Sequence, residues 1–184
     1  MAFDPQQLGW IALGDRAALL PANTERSMHG VRLRPWRADD LDRYFTLLSD
    51  PVVWKTLTDP YPDPFTRDVA RDLLTVASMA THHTVRAVLA NEEPVGQVRL
   101  FHGTAEVQTL APEISYWIGR PYWGRGYARA AVQQILAAHA QAATVTARVH
   151  MTNFASRKVL ERTGFDLDPG WVTDGAWLTY TRAA

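Results

Sequence analysis

Pro112-Glu113-Ile114-Ser115-Tyr116-Trp117-Ile118-Gly119-Arg120-Pro121-Tyr122-Trp123-Gly124-Arg125-Gly126-Tyr127-Ala128 is the stretch whose reading decides the fold. The β-branched and aromatic run from Ile114 to Ile118, with turn formers on both sides, predicts a strand. The Ala-rich segment from Ala128 to Ala140 contains neither Gly nor Pro and predicts a helix. Between the two, Gly124 and Gly126 stand one residue apart. A glycine-rich entry to a helix exposes unpaired backbone N–H groups and the positive end of the helix dipole. That arrangement seats a phosphate or pyrophosphate. The first expectation is therefore a phosphate-bearing cofactor near Gly124 and Gly126.

Working outward, the flanking segments give an alternating order. Val31 and Leu33 alternate with Arg32 and Arg34, which predicts a half-buried first strand. Ala38-Asp39-Asp40 starts a helix with Leu41, Tyr44, Phe45 and Leu48 at helical spacing, ended by Ser49-Asp50-Pro51. Val52 to Thr58 is a short apolar piece, and Asp59 to Pro64 a proline-broken loop. Thr66 caps a second helix to about Ala80, with Val69, Leu73, Leu74 and Val76 inward. Thr84 to Leu89 and Val95 to Phe101 read as strands joined by Asn91-Glu92-Glu93-Pro94. Beyond the long helix, Thr144 to Val149 is a β-branched strand. Thr152-Asn153 opens a helix through Thr163, closed by Gly164. Leu167 and Ala176 to Thr181 suggest two final antiparallel strands around a Pro169-Gly170 and Asp174-Gly175 loop. The order β-α-α-β-β-β-α-β-α-β-β predicts an α/β protein with a mixed sheet and helices on both faces. Residues 1–29 read as an N-terminal extension, and 30–184 as one domain.

Composition narrows the function classes. The 184 residues are 47% hydrophobic and 21% charged, ordinary for a soluble globular chain. Nineteen basic residues balance nineteen acidic ones, so there is no basic footprint for nucleic acid. With no cysteine, a disulfide framework, thiolate metal ligands and a catalytic thiol are excluded. No apolar run approaches a membrane span and Met1 to Trp10 lacks a signal-peptide layout, so a cytoplasmic setting is expected. Seven tryptophans and six tyrosines could build core or wall a pocket. His82 and His83 are adjacent, and neighbours in a strand point to opposite faces. They, His139 and His150 are read as structural or surface residues, with no metal expected.

Three phosphate-cradling readings compete. A P-loop needs Gly-Lys-Ser/Thr at the helix start, where this chain has Gly126-Tyr127-Ala128, so that reading fails. A dinucleotide fold wants a third small residue where Arg129 stands, and an acidic residue further on. The third reading is a coenzyme A pyrophosphate loop. The chain resembles the GNAT acyltransferases, most closely their RimJ/RimL-type branch of ribosomal-protein N-terminal acetyltransferases. One motif is Glu113 to Gly119 followed by Tyr122 to Ala128. The other is Asn153-Phe154-Ala155-Ser156-Arg157-Lys158-Val159-Leu160-Glu161-Arg162-Thr163-Gly164-Phe165. Leu33-Arg34-Pro35 and Leu48-Ser49-Asp50-Pro51 also match. The resemblance spans about Val31 to Tyr180. Pro121 departs from the Gln or Arg that the wider superfamily places there.

The resemblance implies the GNAT fold, a mostly antiparallel six- to seven-stranded sheet whose fourth and fifth strands splay into a V. It implies transfer of an acetyl group from acetyl-CoA, without a metal, to a primary amine of a protein N-terminus or a small molecule. Pantetheine would lie in the gap as a false strand, against Trp117, Ile118, Gly119 and Asn153. Trp123, Gly124, Arg125, Gly126, Tyr127 and Ala128 would hold the pyrophosphate, with Arg120 and Arg129 as added charge. A preorganised N–H near Ile118 would stabilise an oxyanion.

An ammonium must lose a proton before it attacks, so a base is needed. Glu113 is the first candidate, on one strand face with Ser115 and Trp117, and Asp174 is the reserve. Ser156, three residues after the helix-opening Asn153, bonds the cap or, by resemblance, faces the coenzyme sulfur and helps the departing thiolate. The alternatives are a non-catalytic acyl-CoA-binding module and a dinucleotide-binding module. An edge strand or the tryptophans leave room for a homodimer.

Overall fold

The computed structural model describes residues 30–58, 61–79, 81–103, 111–173 and 176–183. The expected 1–29 extension, Asp59-Pro60, Thr104 and the Asp174-Gly175 turn lie outside them. The elements are β1 (Val31–Arg34), α1 (Leu41–Leu48), α2 (Pro51–Trp54), α3 (Arg67–Met79), β2 (His83–Ala90), β3 (Glu93–Phe101), β4 (Glu113–Ile118), α4 (Tyr127–Ala138), β5 (Thr144–His150), α5 (Phe154–Arg162), β6 (Asp166–Thr173) and β7 (Trp177–Ala183). Short 3-10 turns at Ala38–Asp40 and Arg120–Tyr122 lead into α1 and towards α4. Among the described residues no helix is long and apolar enough to cross a membrane.

Seven strands form one sheet in the order β1-β2-β3-β4-β5-β7-β6. Every neighbouring pair is antiparallel except β4 and β5. The expected mixed, mostly antiparallel sheet with helices on both faces is what the chain forms. Alternation along each strand sorts side chains into two cores. One lies against α4 and holds Val98, Leu100, Ile114, Ile118, Ile135, Val145 and Phe165. The other lies against α1 and α3 and holds Trp36, Tyr44, Leu48, Leu73, Leu89 and Trp117.

Three local readings are corrected. Ser49-Asp50-Pro51 ends α1 and also starts α2: the Asp50 side chain accepts from the Val52 N–H at 3.0 Å, and Pro51 sits at the first helical position. The connection between β2 and β3 is two residues, because Asn91 and Glu92 both take positive φ (51° and 69°) and Ala90 pairs with Glu93. That turn follows the right-handed twist of the strands it joins. Pro169-Gly170 lies inside β6, where the register with β7 shifts between Leu167 and Val172. β6 is an edge strand, the one kind that tolerates a proline lacking a ladder donor.

Candidate functional site

β4 and β5 share a single bridged pair, Glu113 with Thr146, where the Thr146 N–H donates to the Pro112 carbonyl at 2.8 Å. Beyond it β5 pairs only with β7, along its whole length. On its other side β4 is laddered to β3, and the Gly119 N–H donates to the Val95 carbonyl at 2.8 Å. In an antiparallel ladder alternate residues turn their backbone groups to the same side. Ser115 and Trp117 therefore serve β3, while Ile114, Tyr116 and Ile118 turn towards β5. Only the first of these has a strand beside it. Parallel strands that part in this way leave backbone donors and acceptors along one wall of a gap.

The gap widens into a cleft of about 870 Å³, lined by β4, β5, α2 and the starts of α4 and α5. Its far end is the glycine turn. Gly124 (φ +74°) and Gly126 (φ +80°) hold the left-handed backbone that side chains disfavour. A Cβ on either would meet nothing within 4 Å, so the space in front of the turn is open. Gly126 is the N-cap of α4 and supplies no side-chain cap. The first amides of this twelve-residue helix thus face the cleft mouth without an intrachain side-chain acceptor.

Neighbouring side chains brace the turn. The Trp123 indole donates to the Ile118 carbonyl at 2.6 Å, so that carbonyl is occupied within the chain. Arg43 donates to the Pro94 carbonyl at 2.8 Å and to the Tyr122 hydroxyl at 2.5 Å. Arg125 lies over the Tyr122 ring, 5.6 Å from its centroid. Arg120 pairs with Asp50 at 3.4 Å, whereas Arg125 and Arg129 both line the cleft. Leu47 fits against Gly119 so closely that a Cβ there would lie 2.4 Å from it.

At the middle of the cleft the structure joins two residues forty apart in sequence. The Tyr116 hydroxyl lies 2.9 Å from Ser156 Oγ and donates to the Ser156 carbonyl at 3.1 Å. Burial holds the Tyr116 phenol in its neutral form and pushes its pKa up; the Ser156 hydrogen bond works against that shift and Tyr180 adds to it. Asn153 caps α5 by accepting from the Ser156 N–H at 3.1 Å, and its amide donates to Thr56 Oγ1 at 2.9 Å. The cap thereby ties α5 to the segment after α2.

Of the other expected site residues, Trp117 lines the cleft and Glu113 does not. The Trp117 ring belongs to the lower core, stacked on Trp36 at 6.4 Å and edge-on to Tyr44 at 5.7 Å. Glu113 shares the Ser115 and Trp117 face, as the alternation requires, at the closed end of the V. Its carboxylate accepts from Arg148 Nε at 3.0 and 3.1 Å, and the Arg148 side chain lines the cleft. Four residues of strand, about 13 Å, separate Glu113 from Trp117. The partner of Glu113 is thus a guanidinium. Asp174 lies outside the described residues.

His83 stacks on Phe101 at 4.7 Å, His139 bonds the Ile135 carbonyl at 2.9 Å, and His150 packs edge-on to Trp177. None of these three lines the cleft. Among the described residues no group of three or more His, Cys, Asp or Glu is placed to hold a metal. Tyr116 was missed by sequence reasoning. The signal available for it was parity, since it faces the gap from the residue between Ser115 and Trp117.

Comparison with known proteins adds a family and a set of shared folds. Residues 31–166 match the acetyltransferase (GNAT) domain. RimJ of Mycobacterium smegmatis, in complex with CoA-disulfide, is 24% identical, with a TM-score of 0.66 over 84% of this chain and 82% of that one. RimL, a ribosomal L7/L12 alpha-N-protein acetyltransferase in complex with coenzyme A, is 17% identical, with a TM-score of 0.70 over 89% and 97%. The microcin C7 self-immunity acetyltransferase MccE, in complex with acetyl-CoA and AMP, is 13% identical, with a TM-score of 0.69 over 84% and 93%. At these identities the likeness is one of fold.

Proposed function

Since the chain belongs to the GNAT acetyltransferase family, we propose that it transfers an acetyl group from acetyl-CoA to a primary amine by direct attack, with both molecules bound together. The observation that carries this reading is the splay of β4 from β5 ending at the open, glycine-capped start of α4. Acetyl-CoA supplies an activated acetyl thioester, and the rest of the work falls to the chain. The amides at the start of α4, with Arg125 and Arg129, hold the pyrophosphate. Gly124 and Gly126 keep the approach clear. The unpaired backbone groups of Tyr116 and the Ile118 N–H bind the pantetheine arm as a strand would, and Asn153 and Trp123 fix the walls. The Ile118 N–H is placed to stabilise negative charge at the carbonyl oxygen.

With the Tyr116 proton turned onto Ser156 Oγ instead of the Ser156 carbonyl, the Ser156 hydroxyl gives its own proton to a hydrogen bond at the leaving sulfur. Glu113, at the closed end, takes the ammonium proton through water. The candidate acceptors are a protein N-terminal α-amine, as in the RimJ/RimL branch, or a small-molecule amine. Thermal shift with acetyl-CoA, CoA and NAD side by side tests the cofactor, since a ligand that binds only the folded chain raises its melting point. Stabilisation by NAD and not by CoA would overturn the reading. Free-thiol release with an amine panel then separates an enzyme from a binding module.

A further inference from the structure

At the end of α4 far from the cleft, two imidazoles converge on one hydroxyl. Thr84 Oγ1, on β2, lies 3.2 Å from Nε2 of His102, the residue after β3, and 3.3 Å from Nε2 of His139, the C-cap of α4. A carbonyl oxygen can only accept. The His139 Nδ1, 2.9 Å from the Ile135 carbonyl, therefore carries the proton of the neutral ring, and Nε2 presents a lone pair. A histidine whose other nitrogen is fixed by a backbone carbonyl has the tautomer and the aim of a metal ligand. His102 is exposed, so its proton can sit on Nδ1 in contact with water and free its Nε2 as well. Thr84 has one hydroxyl proton, enough for one of two lone pairs, whereas a metal ion accepts both. The ring centroids are 5.5 Å apart. Two imidazoles bonded at about 2.0–2.1 Å to one tetrahedral zinc ion have centroids roughly 5 Å apart. The negative end of the α4 dipole lies at His139 and favours a cation there. Arg86, on the same face of β2 as Thr84, donates to the Val85 carbonyl at 2.8 Å.

We propose that His102 and His139 bind a divalent transition-metal ion, zinc in the first place, beside the Thr84 hydroxyl and with water completing its coordination. Imidazole nitrogen suits zinc, copper and nickel, while magnesium and calcium take oxygen ligands. With no cysteine in the chain, no thiolate competes for the ion. The ion enters from the exposed His102 side and ties the end of β3 to the end of α4 across β2. Neither histidine lines the cleft, nor does Thr84. The twelve residues of α4, about 18 Å of helix, separate the ion from the glycine turn. It is a clamp on the fold with no step in acetyl transfer, and the inference stands independently of the proposed activity.

The experiment titrates the full chain, stripped with chelator and dialysed, with zinc chloride by calorimetry, and follows its melting with zinc chloride and with magnesium chloride. One equivalent of zinc should bind, and Tm should rise by about 3–6 °C when free zinc stands tenfold above its Kd. Magnesium should leave Tm where it was. His102→Gln and His139→Gln should each weaken zinc binding at least tenfold, and His150→Gln, at the end of β5, should not. His102→Gln decides the matter even if His139→Gln fails to fold, because the His102 ring is exposed. Zinc affinity unchanged in His102→Gln overturns the inference. So does an equal loss in His150→Gln, which would mean scavenging by any histidine, and so does the lack of saturable binding at one equivalent.

Discussion

Tyr116→Phe separates a hydroxyl that works from one that merely fills space. The ring stays, so no cavity forms, and what disappears is the oxygen 2.9 Å from Ser156 Oγ and 3.1 Å from the Ser156 carbonyl. A neutral hydrogen bond contributes about 1 kcal/mol net, which for a chain of this length lowers Tm by roughly 2–4 °C. Turnover should suffer more. Freed from Tyr116, Ser156 Oγ has three staggered wells instead of one, worth up to about 0.6 kcal/mol. The bond it makes to a developing thiolate also loses the polarising partner behind it, and bonds to charged groups exceed neutral ones by about 1 kcal/mol.

Together these give roughly a tenfold fall in kcat, since about 1.4 kcal/mol is one decade, with the KM for acetyl-CoA within about twofold. The assay is steady-state thiol release from pH 6 to 9.5. Tyr116 has its pKa raised above the ordinary tyrosine value of 10.0 by burial, so the wild type should show no falling alkaline limb in that range. Its contribution to stability is fully present below pH 10 and lost as pH rises through the higher folded value. A Tyr116→Phe enzyme with kcat within twofold of wild type, beside a Ser156→Ala enzyme that has lost most of its turnover, would refute the reasoning.

Three further substitutions probe other parts of the site and fold. Gly126→Ala places a side chain on a backbone at φ +80°; it should cost about 1–2 kcal/mol in a urea melt and weaken acetyl-CoA binding at least about tenfold by calorimetry, and unchanged affinity would remove the phosphate seat from α4. Glu113→Gln keeps the shape of the strand entry; a fall in kcat of about a hundredfold is expected of a base, and a change under twofold would reduce the residue to its pairing with Arg148. Asp40 accepts both arms of Arg34 at 2.6 and 2.8 Å and the Arg37 N–H at 2.8 Å. Burial opposes the Asp40 charge but these partners prevail, and its pKa falls below the ordinary 3.8. A lowered carboxylate adds stability above its unfolded value and loses it as pH drops through the folded one. Asp40→Asn should therefore cost about 2 kcal/mol at pH 7 and much less at pH 3, by urea melts at both.

The sequence carried the local features of the site and few of the distant ones. Gly124 and Gly126 announced a glycine-rich entry to a helix, and Asn153 a cap three residues ahead of Ser156, because both are decided within one turn of helix. Glu113 on the Ser115 and Trp117 face followed from strand parity alone. The partners did not follow, because Arg148 is 35 residues from Glu113 and Ser156 is 40 from Tyr116. Only the sheet order sets those pairs side by side. Local signals also misled where tertiary structure overrode them. Pro169-Gly170 reads as a turn, but an edge strand can absorb a proline. The four residues from Asn91 to Pro94 read as the connection, although two of them suffice once both take positive φ.

The single rung between β4 and β5 has a wider consequence for how the chain holds together. It divides the sheet into two leaves, β1 to β4 from residues 31–118 and β5 to β7 from residues 144–183, each continuous in sequence. The first leaf is a meander, the second places β7 between β5 and β6, and the two ladders share one bridged pair. The seam is shared between α4, whose Ala130, Ala131, Val132, Ile135 and Leu136 lie in one core with Val88 and Val98 of the first leaf and Val145, Val149 and Phe165 of the second, and the side-chain ties of Glu113 to Arg148, Tyr116 to Ser156 and Thr56 to Asn153. The helix that offers its start to the cofactor is thus also the spine of the domain. A change that loosens one of these two jobs acts on the other.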